Sequence, residues 1–528
     1  MQWLKYILLT MHMTGAAMAA PRPNVVILFA DDLGRYAGAY ADPDHPSPND
    51  IIDTPVFDRI AREGALFNNA FVSAPSCTPS RAALHTGRHF FRNGSHSQLH
   101  HPWDGDPQTD PFREVIGIAA PLRKAGYAVG YAGKVHVRDS LIGGKEVQFN
   151  GAGRDMNRFS QLVAPADDPA SAKAAILEQI RRNFRAFLET RARNQPIYYS
   201  LHPMNTHRKW VRGSGSSIWG LDPDNLKGRL PPYVPDVPEV REDFADYLGE
   251  AMAFDAYCGV ILEELERLGE LGNTLFVISG DHGAPGFPRG KANVNDFGSR
   301  VLLAMRWPGS IEPGRVIDTP VSLVDLAPTF ADAAGVAMPE DIDGESLLPV
   351  LRRGGDEDAL RGWALIGREV HDGTAREGLL PYPVRALRTR EFLYVVNFKP
   401  DRWPAGDPNR ALESPPPPED LWARNTFLGY GDIDASPTKG WLVHHREAPE
   451  AERAVAMGLE KRPREELYDL RRDPDQLHNL AGDPEYAPVR ERMNRRLMDL
   501  LRRGEDPRLT DAFDRPFYLK NKSIRGGH

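Results

Sequence analysis

The chain has 528 residues, 41% hydrophobic and 26% charged, the proportions of a soluble globular protein with room for two to three domains. Its formal net charge of -8 argues against a nucleic-acid partner or a polybasic membrane contact, yet permits a local cationic pocket for an anionic substrate. Only two cysteines are present, Cys77 and Cys258. A single bridge between them is the one disulfide the chain allows. Cys258 reads instead as a small buried apolar residue inside a helical pattern over 254–268.

Residues 1–19 predict a secretory signal. Lys5 supplies the positive charge, residues 6–13 a short apolar core, and Ala17-Met18-Ala19 a small-x-small cleavage site. The core is too short to span a bilayer, and no later run reaches that length. The sequence therefore predicts an exported protein, periplasmic or secreted, with no membrane span.

Asn24-Val25-Val26-Ile27-Leu28-Phe29-Ala30 is a continuous apolar run rich in β-branched residues, as in a strand buried on both faces. Asp31-Asp32 follows at once, where either a metal site or a capped turn fits. A helix is predicted over 56–64, then an apolar run over 65–71. A Pro-rich approach, Ser73-Ala74-Pro75-Ser76, leads to Cys77. The stretch from Cys77 to Arg88 reads as a helix with Pro79 in its first turn, where a missing N–H costs nothing. Such a helix start favours an anion, and Arg81 one turn later carries a forked donor.

Further on, the pattern predicts a helix over 116–125 and a strand ending in Gly133-Lys134-Val135-His136. An amphipathic helix over 172–188 precedes a strand over 196–201, which ends in His202-Pro203-Met204-Asn205-Thr206-His207-Arg208. A helix over 240–268 precedes a strand ending in Asp281-His282-Gly283. Lys291 follows in a Gly/Pro-rich loop over 286–298, then a strand over 301–307 and a helix beginning near 322. This alternation predicts an α/β domain over 22–358, a mostly parallel sheet with helices on both faces. Beyond 358 the texture changes to Pro-rich segments, short strands such as 388–397 and 466–470, and a helix over 486–503. That pattern predicts a smaller domain of short strands and one helix over 359–528, ending in a polar strap.

The strand ends gather acids and bases. Asp31, Asp32 and Asp281 offer oxygen ligands suited to a hard divalent cation, Ca²⁺ more than Mg²⁺ where many protein oxygens bind. His282 would add a nitrogen, an unusual ligand for Ca²⁺. No nucleotide-binding glycine fingerprint, zinc-type Cys/His cluster or internal repeat is present.

The run Cys77-Thr78-Pro79-Ser80-Arg81, with Leu84-His85-Thr86-Gly87, closely resembles the type I sulfatase signature, Cys-x-Pro-Ser-Arg followed by Leu-x-Thr-Gly. The resemblance implies an alkaline-phosphatase-like fold with a smaller C-terminal α+β domain built on an antiparallel sheet, and conversion of Cys77 to formylglycine by a formylglycine-generating enzyme. It also implies a divalent metal, Ca²⁺, held by Asp31, Asp32, Asp281, His282 and the modified residue 77. Arg81, Lys134 and Lys291 would neutralise sulfate oxygens. His207 would protonate the leaving group, with His202 as fallback, and His136 would help regenerate the aldehyde. Most relatives carry Asn where His282 stands, and Pro where Thr206 stands. Within the family the chain is most similar to the N-sulfoglucosamine sulfohydrolase branch and its bacterial counterparts, through Tyr36–Tyr40, the His-rich stretch at 96–101, Phe287–Lys291 and Val396–Lys399. The expected substrate is a sulfated saccharide, bound at a rim of Arg92, His96, His100, His101 and Arg208. A formylglycine-dependent phosphodiester or phosphonate monoester hydrolase is the alternative reading, and a catalytically silent glycan-binding relative a third.

Overall fold

The computed structural model describes residues 22–94 and 115–510. The expected signal, the His-rich stretch (His96, His100 and His101) and most of the terminal strap lie outside the described residues. Seven strands form the main sheet: β1 (Asn24–Ala30), β2 (Ala65–Phe67), β3 (Ala128–Gly133), β4 (Ile197–His202), β5 (Thr274–Gly280), β6 (Leu303–Arg306) and β7 (Arg315–Ile317). Their order is β3-β4-β1-β5-β6-β2-β7. The four strands β3, β4, β1 and β5 are mutually parallel, while β6 runs antiparallel to its neighbours.

β1 shows why the sheet must be covered twice. Val26, Leu28 and Ala30 enter one core, and Val25, Ile27 and Phe29 enter the other. Successive side chains of a strand point to opposite faces, so a run with no polar residue can only be buried on both. The first core is closed by α2 (Pro169–Leu188) and α3 (Pro238–Arg267), through residues such as Phe184, Phe187, Phe244 and Ile261. The second receives Leu84 from α1 (Cys77–Thr86) and Ala327 and Phe330 from α4 (Leu326–Ala334). Cys258 is buried in α3, and both cysteines are free thiols.

A separate antiparallel sheet follows, in the order β8 (Trp363–Arg368), β9 (Val384–Thr389), β10 (Phe392–Asn397) and β11 (Glu465–Asp469). One face is covered by α5 (Ala487–Arg503), whose Met493, Leu497 and Leu501 meet Leu387, Tyr394 and Leu467. The architecture is the expected one: a largely parallel sheet between helices, plus a small antiparallel α+β unit. Among the described residues no helix is long and apolar enough to cross a membrane.

Three local expectations change. The helix expected over 116–125 forms only at Ala119–Lys124, because Ile118 N–H donates to His85 O (2.8 Å) outside any helix. The strand expected over 301–307 splits. Arg300–Val301 joins a three-stranded sheet, Leu303–Arg306 the main one, and Leu302 between them donates its N–H to Gly34 O (3.3 Å). The strand expected over 388–397 is a hairpin whose turn has neither Gly nor Pro. The Thr389 hydroxyl closes it by accepting from Phe392 N–H (3.1 Å) and donating to Phe392 O (3.2 Å).

Candidate active site

Because β3, β4, β1 and β5 are adjacent and parallel, their carboxyl ends lie along one edge of the sheet, where open α/β sheets form their sites. Register decides the neighbours: Gly133 lies opposite His202, and Ala30 opposite Gly280. The residues just beyond are therefore brought together. Asp281 N–H donates to Ala30 O at 3.0 Å, and Lys134 N–H to His202 O at 2.6 Å. Gly133 (φ 95°) is required here, since a Cβ would stand 2.0 Å from His202 O.

Asp32 adopts a left-handed backbone (φ 62°), uncommon for a residue with a Cβ. Its surroundings over-determine that conformation. Its N–H donates to Asp281 Oδ1 (2.7 Å), and its carbonyl accepts from Thr206 Oγ1 (2.9 Å) and Tyr247 Oη (3.1 Å). Asn205 O accepts from Asp31 N–H (2.9 Å), while the Asn205 amide donates to buried Glu250. The segment 205–206 thus fixes the acidic pair from behind.

Cys77 opens α1, all of whose residues are buried. Its Sγ lies 3.3 Å from His282 Nε2, 3.5 Å from Lys134 Nζ and 3.8 Å from Asp32 Oδ1. Lys134 Nζ reaches Asp31 Oδ2 at 2.6 Å, and Lys291 Nζ reaches Asp32 Oδ2 at 2.9 Å. Burial raises the Asp31 carboxyl, yet Lys134 and Arg81 hold it well below the ordinary carboxylate range. Asp281 goes the other way. Burial, with Asp31 and Asp32 nearby, pushes it up to about 6. Burial also pushes the Cys77 thiol well above its ordinary value, against the pull of Lys134 and Lys291.

The donor set suits a hard cation. Asp31, Asp32, Asp281 and His282 are completely buried, and oxygen, nitrogen and sulfur atoms from these residues and Cys77 fall in groups within 4.8 Å. His282 Nδ1 faces Gly283 O at 3.2 Å, so Nε2 is the ring atom turned toward the acids. Nε2 then faces Asp32 Oδ1 (3.2 Å) and Asp281 Oδ1 (3.4 Å). Three buried carboxylates, with a ring nitrogen and Cys77 Sγ beside them, fit a divalent ion.

Arg81 is placed differently from expectation. Its Nη2 binds Asp31 Oδ1 (2.8 Å), its Nε binds Asp281 Oδ2 (3.0 Å) and its Nη1 meets His202 Nδ1 (2.8 Å). With every forked donor committed inside a fully buried shell, Arg81 braces the carboxylates from behind instead of facing a sulfate oxygen. His202, the fallback acid, stands behind Arg81, stacked between Tyr131 (4.5 Å between ring centroids) and His85 (5.8 Å). Burial and Arg81 hold it far below the ordinary histidine value, so it is a neutral acceptor that orients Arg81.

His207 reaches the acids, with a ring nitrogen grouped with Asp31 and Asp32 oxygens. Its Nδ1 pairs with Arg208 O (2.6 Å), leaving Nε2 for a ligand. Burial, then Lys291, keep it below the ordinary value. His136 sits two residues past Lys134 in a left-handed backbone (φ 49°), half-buried. Of the expected rim, Arg208 is committed to a bidentate pair with Asp243 (2.8 and 2.9 Å) and lies over Trp210, so it supports the wall beside His207. Arg92 pairs with Asp343 at 2.7 Å.

Two residues escaped sequence reasoning because they arrive from beyond residue 358. Asp434 Oδ2 lies 3.3 Å from Lys291 Nζ, and His371 Nδ1 pairs with the hydroxyl of Ser76, next to Cys77 (2.9 Å). Burial pushes His371 down to about 3. No local spacing marks either residue; only the path of the later loops brings them in.

Residues 23–336, more than half of the chain, match the family model described as Sulfatase. A human N-sulphoglucosamine sulphohydrolase is 29% identical over 545 residues, covering 93% of this chain and 92% of the relative. An ulvan-active sulfatase of Formosa agariphila is 26% identical over 480 residues, covering 89% and 78%. A solved 2-O GAG sulfatase shares the fold (TM-score 0.61, 19% identity, 93% of this chain and 94% of that one). So does a phosphonate monoester hydrolase of Silicibacter pomeroyi (TM-score 0.59, 18% identity, 92% and 96%). At those identities the solved structures speak for fold alone, whereas the family match spans the strands and helix that build the pocket. This chain belongs to the sulfatase family.

Proposed function

We propose that this chain is an exported glycan sulfatase that works through formylglycine at position 77 and a divalent cation, Ca²⁺. N-sulfated glucosamine is the leading substrate and an O-sulfated sugar the runner-up. The observation that carries the reading is the placement of Cys77. The cysteine of the modification motif stands 3.3 to 3.8 Å from His282, Lys134 and Asp32, at the point where the acids converge. Supporting the substrate class, one relative is named an N-sulphoglucosamine sulphohydrolase and another an ulvan-active sulfatase.

Once formed, the aldehyde hydrate supplies an oxygen nucleophile and a second hydroxyl whose proton loss lets sulfate depart. Asp31, Asp32, Asp281 and His282 would hold the cation beside residue 77, where it supplies Lewis-acid charge. Lys134 and Lys291 carry the positive charge that offsets growing negative charge on the sulfate oxygens. His207, with Nδ1 committed, holds the proton for the leaving nitrogen or oxygen at Nε2. His136 takes the hydroxyl proton when the aldehyde is regenerated. Arg81 keeps Asp31 and Asp281 in register. Residues 22–358 form the catalytic domain in this reading, with residues 359–528 adding one wall. The signal over 1–19 delivers the chain to the periplasm or outside, and a formylglycine-generating enzyme acts during maturation.

The test offers N-sulfated, 6-O-sulfated and 3-O-sulfated glucosamine in parallel and reads released sulfate, with peptide mass spectrometry at position 77. Sulfate release and an aldehyde at 77 are expected. Release only from an O-sulfated sugar overturns the sulfamidase preference. Turnover of a phosphodiester or phosphonate alone overturns the sulfatase reading, and an unmodified thiol in active protein overturns the mechanism.

A further inference from the structure

One acidic residue in the pocket serves none of the steps above. Asp434 faces Lys291 Nζ at 3.3 Å, but its side chain is 21% exposed, whereas those of Asp31, Asp32, Lys134 and Lys291 are 0 to 7% exposed. It is therefore the charged group nearest solvent in this set. Among the described residues Lys291 is the one cation set against its Oδ2, and no donor is placed on Oδ1. A carboxylate beside a sulfate-binding lysine repels an incoming sulfate, so its placement favours binding only if a donor on the substrate meets it.

The segment that delivers Asp434 is firmly held. Lys439 Nζ donates to the carbonyls of Thr426 (2.9 Å), Tyr430 (3.1 Å) and Ile433 (2.8 Å). Ser436 Oγ donates to Gly286 O (2.7 Å), tying the segment to the loop that carries Lys291. Thr438 Oγ1 donates to Asp243 Oδ2 (2.6 Å), the carboxylate that also holds Arg208 beside His207. A loop fastened on both sides of one under-bonded carboxylate is a preorganised acceptor.

We propose that Asp434 is a specificity-determining residue whose carboxylate accepts hydrogen bonds from hydroxyl or N–H groups of the sugar unit that carries the sulfate. The inference rests on the sulfatase reading of this pocket. It places the recognition of sulfate on the strand ends and the recognition of the sugar on the later chain.

The experiment uses whichever of N-sulfated, 6-O-sulfated and 3-O-sulfated glucosamine the wild type cleaves best, with inorganic sulfate as a competing probe. Asp434→Asn should raise KM for the saccharide about 10- to 100-fold, with kcat within about threefold. The inhibition constant of inorganic sulfate should be no higher than in the wild type, since a repelling charge is gone. An unchanged KM overturns the proposal and leaves the sulfatase reading standing. A sulfate constant that rises in parallel with KM also overturns it and assigns Asp434 to holding Lys291. Should Asp434→Asn fail to fold, Asp434→Glu keeps the charge and displaces the acceptor, with the same expected split. A wild type that releases sulfate from none of the three sugars, yet cleaves a phosphodiester or phosphonate, overturns the sulfatase reading, and this inference with it.

Discussion

The floor of the pocket and its outer wall are built in opposite ways. The floor consists of residues that immediately follow β3, β1 and β5 in the run of parallel strands, so sheet register sets Asp31, Asp32, Lys134, Asp281 and His282 close together. The wall around Asp434 and His371 rests on no strand of the main sheet. It is loop, held by a lysine on three carbonyls and by hydroxyls reaching back to the floor's own loops. The floor is thus rigid by architecture and suited to chemistry, which tolerates little displacement. The wall is rigid only through specific polar contacts, which makes it the part whose loss should change recognition before it changes chemistry.

The largest expected effect lies on the floor. Cys77→Ala should lower kcat by at least about 10⁴-fold while the thermal midpoint stays near that of the wild type, because the reacting oxygen is lost and only a small buried side chain is trimmed. Chelation of the wild type should reproduce most of this loss, and Asp281→Ala should do so without chelator. Full activity after exhaustive chelation would return Asp31 and Asp32 to the status of a braced turn.

Next comes the proton donor. Burial, then Lys291, hold His207 below the ordinary 6.5, and catalysis requires its protonated form. The protonated fraction falls as pH rises through that lowered value, so kcat/KM should decline from the acid side and be highest below pH 6.5. His207→Gln should cost about 10²- to 10⁴-fold, more on N-sulfate than on O-sulfate, and flatten the decline. A decline that persists in the variant assigns it to another group.

The wall breaks more gently. Lys439 is buried, and burial pushes its ammonium down to about 7. Lys439→Met should leave three carbonyls without their donor and cost about 2–4 kcal/mol in denaturant unfolding. It should raise the saccharide KM with little change in kcat. Equal losses in kcat and KM terms would show that floor and wall are not separable.

The smallest effect sharpens how the floor is supported. Glu250, pushed up to about 7 by burial, accepts from Asn205, whose carbonyl holds Asp31 N–H. A carboxyl raised on folding binds its proton more tightly in the native state. Its stabilisation is full below the unfolded value near 4.5 and is lost as pH rises through about 7. Between pH 5 and 8, Glu250→Gln should flatten the stability profile by up to about 3 kcal/mol relative to wild type. Parallel profiles would remove Glu250 from this role.

By itself, the sequence determined the sheet, the helices on its two faces and the floor. An apolar run such as 24–30 admits one environment, and a motif such as Cys77–Arg81 constrains neighbouring residues through local geometry. The direction of Arg81 was not so determined, since a long guanidinium follows whichever buried charges the tertiary fold provides, and here these lie behind the metal-ligand candidates. The hairpin at 384–397 was hidden for a related reason: Thr389 closes the turn with a hydroxyl, where sequence rules look for Gly or Pro. Asp434 and His371 were decided wholly by tertiary structure. His371 sits 295 residues from Ser76, and Asp434 lies in a later loop than the one that carries Lys291; no periodicity or spacing encodes a contact that depends on how the sheets and their connections pack.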